Sequence, residues 1–485
     1  MLARAQAPAQ IKKVLSISCG ESISSCEVLS GEARFTGRVG FKALFTDAGG
    51  AAHCAEQSAD FSNKAADKSI AAGMAVFAES TVVDIDTVSV SGGEIKLAAV
   101  IDVHLYTNTG EQITHLTDGG EELFTHKENI EYCGLTGEGD EAFAVSDERA
   151  SKENIGRILM CEAQSVIKNV HAGTGCFVLE GAVTTFVTVE TEDKAIRNVV
   201  LNTDFKQEIA GKGVVPENDA AAHVFVKSAI ARLEKDMESK ANIVKAEVTL
   251  HARAAAYAQK TAETVTDAFC IKNELNMASE SFRISRFMFG KCFNEKIEGT
   301  AALEADMPYM DNITAVCGGR MNIANTFVEK DKIRLEGLVN TGVVYWNREA
   351  DARHSVQVEL PFSLTLNAPG VTDRCEVFAK GMICDITARP RKGIEIDITA
   401  PVTIHVQVFE TKDGCCVKEV ELGAERNLKM SAIAVYITKE GETLWDVAKA
   451  LCTTPELIMG YNPGLKVPLA GGEKILVYRQ HTAKF

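Results

Sequence analysis

Val402-Thr-Ile-His-Val-Gln-Val408 alternates branched apolar residues with polar ones. A period of two places Val402, Ile404, Val406 and Val408 on one face of a strand and Thr403, His405 and Gln407 on the other, the pattern of a half-buried β-strand. Ile101, Val103 and Leu105 alternate with Asp102 and His104 in the same way, and Val183, Phe186 or Val187, and Val189 give a less regular version. The fold is therefore expected to be mainly β. Only residues 222–236 admit a helical reading beside the strand.

These strands recur. Glu27-Val-Leu-Ser-Gly31, Phe177-Val-Leu-Glu-Gly181 and Ile333-Arg-Leu-Glu-Gly337 open three segments, their glycines 150 and 156 residues apart. Phe77, Phe225 and Phe378 follow at spacings of 148 and 153, and His104, His251 and His405 at 147 and 154. Three markers in nearly one register predict three consecutive β-rich repeats, sandwich or barrel-like, each covering its own core, over residues 10–135, 155–285 and 311–420. The recurring phenylalanines are read as core, and the glycines as answering a backbone or close-packing need. Because the histidines fall on the polar phase of their strands, far apart in sequence, a solvent-face or cross-strand role is expected for them rather than metal binding or acid–base work.

The last fifty residues read differently. Val435-Tyr-Ile-Thr438 suits a short strand, and Gly441-Glu-Thr443 a turn with Thr443 as N-cap. Leu444, Val447, Ala448 and Leu451 then lie at i, i+3, i+4 and i+7 of a helix whose apolar face packs inward. Thr454-Pro455-Glu456 is a second start signal, Asn462-Pro463-Gly464 a stop, and Ile475-Leu-Val-Tyr478 a returning strand after Gly471-Gly472. The predicted order over residues 434–479 is βααβ.

That segment, with Tyr436-Ile-Thr-Lys-Glu-Gly-Glu-Thr-Leu-Trp-Asp-Val-Ala448 at its head, resembles a LysM module. LysM modules bind amino-sugar polymers and sometimes proteins, in a groove between the loop after the first strand and the loop after the second helix. The resemblance marks Gly441, Glu442, Thr443 and Leu444 on one loop and Asn462, Pro463, Gly464 and Leu465 on the other. Glu442 stands where Asp is more frequent. Thr443 and Asn462 also suit cap and turn roles whatever such a fold binds. By residue type and position, Trp445, Lys449 and Tyr461 are further candidates for a partner surface.

The bulk properties exclude some classes. With 46% hydrophobic and 24% charged residues and only ten prolines, most of the 485 residues can be buried in cores. The net charge of −16 includes six Lys/Arg against five Asp/Glu from Tyr436 to Phe485, which leaves the first 435 residues at −17. Nucleic acid and anionic lipid demand basic patches, so neither is expected as a main partner. No apolar run approaches the roughly 20 residues that span a bilayer, and the first residues lack the apolar stretch of an export signal. Fourteen scattered cysteines without a Cys-x-x-Cys pair, Cys415-Cys416, Cys133 and Cys317 among them, are expected to be free thiols of a cytoplasmic protein.

No phosphate-binding loop, nucleophile elbow, zinc-protease motif or dinucleotide fingerprint is present. Gly173-Thr-Gly175 and Gly211-Lys-Gly213 are turns, and Glu138-Gly-Asp140-Glu141 is an acidic loop without a distinguishable general-acid pair. No enzyme, cofactor or metal is expected.

Three β-repeats of this spacing followed by a LysM resemble the SPOCS-domain proteins of spore-forming clostridia, of the SipL type. That resemblance implies a spore coat morphogenetic scaffold of the mother-cell cytoplasm, gathered at the forespore surface, whose LysM binds the ATP-hydrolysing basement-layer coat protein of the SpoIVA type while the repeats engage other coat proteins. Two other classes remain open: binding of peptidoglycan or a lipid-linked wall precursor through the LysM, and a cell-wall-active enzyme.

Overall fold

The computed structural model describes residues 1–72, 74–91, 93–108, 113–119, 123–235, 242–426 and 433–478. Strands account for nearly all of its regular structure, and they recur as three six-strand repeats. The first comprises β1 (Leu2–Gln6), β2 (Lys13–Leu29), β3 (Glu32–Thr46), β4 (Ala52–Ala66), β5 (Ala75–Ser91) and β6 (Glu94–Asn108). The second comprises β7 (Leu123–Ser151), β8 (Ile155–Ala172), β9 (Cys176–Thr191), β10 (Ile196–Ala210), β11 (Asp219–Lys235) and β12 (Asn242–Cys270). The third comprises β13 (Asn273–Ala302), β14 (Asn312–Glu329), β15 (Lys332–Asn347), β16 (Ala352–Asn367), β17 (Cys375–Ile383) and β19 (Glu395–Glu425), with a short β18 (Thr387–Arg391) added beside β19.

The connectivity is the same each time. The second to fourth strands form an antiparallel meander, β2-β3-β4, β8-β9-β10 and β14-β15-β16. The first, last and fifth strands form the other sheet, ordered β1-β6-β5, β7-β12-β11 and β13-β19-β17. Apolar residues of both sheets meet within each repeat: Val39, Phe41 and Phe45 with Ile95 and Leu97; Phe177 and Leu179 with Val248 and Leu250 and, in a second cluster, Val187 and Val189 with Val244 and Ala246; and Leu335 and Val339 with Ile404 and Val406. Each repeat is thus a small sandwich. The expected spans begin at or near the meanders, whereas the strand that opens each second sheet, β1, β7 or β13, precedes its meander in sequence. Of residues 222–236, which admitted a helix, 222–235 lie in strand β11 and 236 lies outside the described residues.

The repeats do more than cover separate cores. Leu15 and Leu44, Leu159, Met160 and Ile196, and Ala315, Cys317 and Val344 form a shared apolar cluster drawn from all three. Polar ties surround it: Lys42 donates to the Cys161 carbonyl at 2.5 Å, Arg157 to the Ala52 carbonyl at 2.6 Å, and Arg320 pairs with Glu21 at 3.1 Å. Burial behind these contacts pushes the thiols of Cys19, Cys54 and Cys317 up to about 12, which makes them packing groups rather than nucleophiles at neutral pH.

The structure also re-registers the opening glycine. Gly37, not Gly31, matches Gly181 and Gly337: these three face Phe61, Phe205 and Phe362 directly across the sheet, and each lacks room for a Cβ. Gly31 sits in the turn six residues earlier, at φ 81°, where the other repeats have Gly175 at 72° and Asp331 at 60°. The aromatic ring lying over the strand requires glycine at the later position, whereas the left-handed turn favours glycine but takes Asp331 in the third repeat.

By its internal packing the chain divides into two units, one of Met1–Gly110, Gly134–Ala258 and Phe287–Glu410, the other of Glu111–Cys133, Gln259–Arg286 and Thr411–Phe485. The first holds the sandwiches and their shared cluster. The second combines the outer segments of β7, β12, β13 and β19 with a C-terminal module of β20 (Ile433–Ile437), α1 (Leu444–Leu451), α2 (Pro455–Tyr461) and β21 (Lys474–Tyr478). Strands β20 and β21 pair antiparallel, in the order strand, helix, helix, strand.

Candidate binding module

The module's helices begin where the sequence places them. Thr443 caps α1 in a reciprocal box with Asp446: the Asp446 amide donates to Thr443 Oγ1 at 3.2 Å, and the Thr443 amide to Asp446 Oδ2 at 2.8 Å. The Thr443 hydroxyl also donates to this carboxylate at 2.6 Å, and these bonds hold its pKa below the ordinary range. That contribution is present at neutral pH and is lost as pH falls through the depressed value. Val447, Ala448 and Leu451 face inward and join Ile458, Ile475 and Val477 in the module's core. Thr454 caps α2 ahead of Pro455, and Asn462 closes it.

Most of the side chains expected to bind a ligand are occupied within the chain. Glu442 accepts from the Tyr436 hydroxyl and the Lys439 amide, both at 2.8 Å, and its pKa is lowered first by the Lys439 amide and then by Tyr436. Gly441 holds φ 83° in the turn before the cap. Asn462 bridges to β21: its amide donates to the Ile458 and Leu476 carbonyls at 2.8 Å each, and its Oδ1 accepts from the Leu476 amide at 2.9 Å. Leu444 and Leu465 pack against the same core, Tyr461 stacks edge-on with Tyr478 at 5.2 Å, and Pro463 and Gly464 are exposed. Replacing Asn462 by alanine is expected to lower the module's stability by about 1–2 kcal/mol, since the Leu476 carbonyl and amide lose the side chain that bridges them to α2. Faster hydrogen exchange at the Leu476 amide checks it, and an unchanged rate would show that the bridge contributes nothing.

Trp445 and Lys449 turn onto a residue to which no motif points. Trp445 Nε1 donates to Asp267 Oδ2 at 2.8 Å, and Lys449 Nζ meets the two oxygens of the same carboxylate at 2.7 and 2.8 Å. The indole also packs edge-on against Phe269 at 5.0 Å and tilted against His126 at 5.2 Å. Asp267 and Phe269 belong to β12 and His126 to β7, so these two candidates dock the module within its own unit.

What the module does present is a flat apolar face. Ile433, Val435 and Ile437 stand opposite Tyr478, Leu476 and Lys474 in the β20–β21 ladder, and the five apolar ones are exposed, Val435 at 60% and Ile437 at 59%. The signal was present in Ile433-Ala-Val-Tyr-Ile437, which has no polar phase, so both faces of the strand had to be apolar.

The recurring histidines divide. His104 is exposed and His251 pairs with Asp140, but His405 is only 6% exposed and stands opposite Lys380 in the β17–β19 ladder, so of the two expected roles, solvent-face or cross-strand, the first does not hold for it. Burial, then His223 and Lys380, lowers its pKa to about 4. Phe225 and Phe378 are half-buried, with Lys380 lying 4.6 Å over the Phe225 ring, rather than core, because they share the outward phase of β11 and β17. The Phe77 side chain is outside the described residues. Among the described residues no group of three His, Cys, Asp or Glu side chains is placed to hold a metal ion, and no helix is long and apolar enough to cross a membrane.

Residues 312–390, which span the meander of the third repeat and β17, match the family model described as SipL, SPOCS domain. No curated protein and no solved structure matches the chain.

Proposed function

We propose that this protein is a non-catalytic scaffold or adaptor of the spore coat, acting in the mother-cell cytoplasm at the forespore surface, and that its LysM-like module tethers it to the basement-layer coat ATPase of the SpoIVA type. The SPOCS match supports the family of roles, and the exposed β20–β21 face is the observation that carries the choice of ligand. A sugar groove needs polar groups free to bond hydroxyls, whereas the aliphatic side chains of Ile433, Val435, Ile437 and Leu476, rimmed by Tyr478, suit a desolvated protein interface. The polar candidates Glu442, Thr443 and Asn462 are spent on caps and bridges.

The test uses purified basement-layer ATPase as prey. Full-length protein is expected to capture it, a chain ending near Ser431 to lose it, and Val435→Lys, on the open face, to weaken capture by about tenfold or more, the loss typical of a hot spot. If Val435→Lys captures as well as the parent and the parent instead binds muropeptides saturably, the tether is not this face. Peptidoglycan or a lipid-linked wall precursor then becomes the better reading.

A further inference from the structure

The three sandwiches of the first unit meet head to tail, the fourth strand of each repeat against the second strand of the next. Arg157 of β8 donates to the Ala52 carbonyl of β4 at 2.6 Å, Arg197 of β10 to the Thr314 carbonyl of β14 at 3.4 Å, and Ser355 of β16 to the Val14 carbonyl of β2 at 3.4 Å. The ladders put His53, Arg197 and His354 at one equivalent position of the fourth strands, opposite Phe45, Val189 and Tyr345. Lys13, Arg157 and Asn312 share an equivalent position of the second strands, opposite Thr46, Glu190 and Trp346. One joint thus occurs three times, with three sets of side chains.

Two of the joints have their charges paired. In the first, His53 meets Asp47 at 2.9 Å and Arg157 meets Glu190 at 2.8 Å; in the second, Arg197 lies 3.6 Å from Glu153 and the second-strand position holds the uncharged Asn312. The third sets Lys13 Nζ 2.8 Å from His354 Nδ1. An ammonium only donates, so Nδ1 accepts and the ring proton sits on Nε2, which is buried without a hydrogen-bond partner. Around the ring, Tyr345 stacks at 5.7 Å with its hydroxyl given to the Pro308 carbonyl, Arg353 turns to the Gly50 and Lys194 carbonyls, and Lys12 is exposed. Among the described residues no carboxylate pairs with Lys13 or His354.

We propose that the joint between the third and first repeats is an acid-sensitive latch, held while His354 is neutral and released when its Nδ1 takes up a proton. Protonation removes the acceptor for Lys13 and sets two cations in contact, where the other joints keep their charges paired. Burial, and then Lys13, holds the His354 pKa below the ordinary histidine value, and burial lowers that of Lys13. The unfolded chain therefore binds this proton first as pH falls, so stability is level above the ordinary histidine value and declines between that value and the lowered one. Leu15 of the first repeat and Val344 of the third are buried in the shared apolar cluster, so release of the latch uncovers apolar surface.

Hydrogen exchange of the full chain, read by mass spectrometry at about pH 7.5 and about pH 5 and corrected for the intrinsic pH dependence of exchange, tests this. Peptides from β2 and β16 are expected to lose protection about tenfold or more at the lower pH, while those from β4 and β8 and from β10 and β14 hold theirs. His354→Asn keeps an acceptor near the Nδ1 position at every pH and abolishes the loss. Lys13→Glu gives the imidazolium an anion and reverses it, with protection at β2 and β16 greater at the lower pH. Equal loss at all three joints, no loss in the parent, or a loss that persists in folded His354→Asn overturns the proposal. Where a variant fails to fold, the comparison of the three joints within the parent decides.

Discussion

Gly337→Val is expected to prevent the third repeat from folding, and even Gly337→Ala to cost more than about 3 kcal/mol, beyond the usual range for overpacking a core. A Cβ at this position would lie 1.9 Å from the Asn322 carbonyl oxygen on β14 and 2.9 Å from Phe362 Cζ on β16. The ring could shift; the carbonyl cannot, because it belongs to the strand paired on the other side. Shrinking Phe362 to leucine should therefore fail to rescue Gly337→Ala. At Gly181 the closest atoms are Phe205 Cζ at 2.4 Å and the Val166 carbonyl oxygen at 2.5 Å, and at Gly37 they are Phe61 Cζ at 2.3 Å and Phe61 Cε1 and the Ser22 carbonyl oxygen, both at 2.6 Å. Alanine at either should be milder, and partly rescued by a smaller residue across the ladder. Gly31→Ala, in open space at φ 81°, is the control, with only the cost of about 1–2 kcal/mol for a left-handed residue. Urea unfolding of the four variants orders them. Stability of Gly337→Ala within about 0.5 kcal/mol of the parent, the range of an innocuous surface change, would refute the packing account.

This pair of glycines shows what the sequence could and could not disclose. The period-two pattern of Val402–Val408 and the threefold spacing were enough to predict repeated β structure, because a strand's faces are written in alternate residues. The slip from Gly37 to Gly31 arose because glycine suits both positions for unrelated reasons, and only strand pairing tells a turn from a ring contact. Local chemistry was legible in the C-terminal module too: the Thr443 cap, the inward face of Val447, Ala448 and Leu451, and the Pro455 start are short-range effects. The fate of the expected binding residues was not. Whether Trp445 projects outward depends on Asp267, 178 residues earlier, and the burial of His405 depends on neighbours from another repeat. Polar phase in a strand means only that a side chain leaves its own sandwich core. Where repeats pack together, it enters another interior.

Asp267 accordingly decides how the module is held, and its replacement separates two readings of the tether. Asp267→Ala is expected to destabilise the docked module by about 2 kcal/mol, less than two full hydrogen bonds to a charged group because Lys449 remains 39% exposed and screened. Trp445→Ala should cost about 3 kcal/mol, at the low end for loss of a large aromatic, since the half-buried indole loses its packing on Phe269 and His126 as well as its N–H bond. Both effects are local, so amide exchange across β20–β21 and α1 should quicken, about tenfold for each 1.4 kcal/mol, while the core strands of the sandwiches stay protected. Unchanged exchange in both variants would mean that the Asp267 contacts do not hold the module. The capture experiment then reads the same variants differently. If the partner lies on the β20–β21 face, Asp267→Ala leaves that surface intact and capture is retained. If the partner instead grips Trp445 and Lys449, freeing them from Asp267 removes a competitor, and Asp267→Ala should capture more strongly than the parent while Trp445→Ala captures nothing. The open sheet face requires the first outcome, because its five apolar side chains make none of the Asp267 contacts.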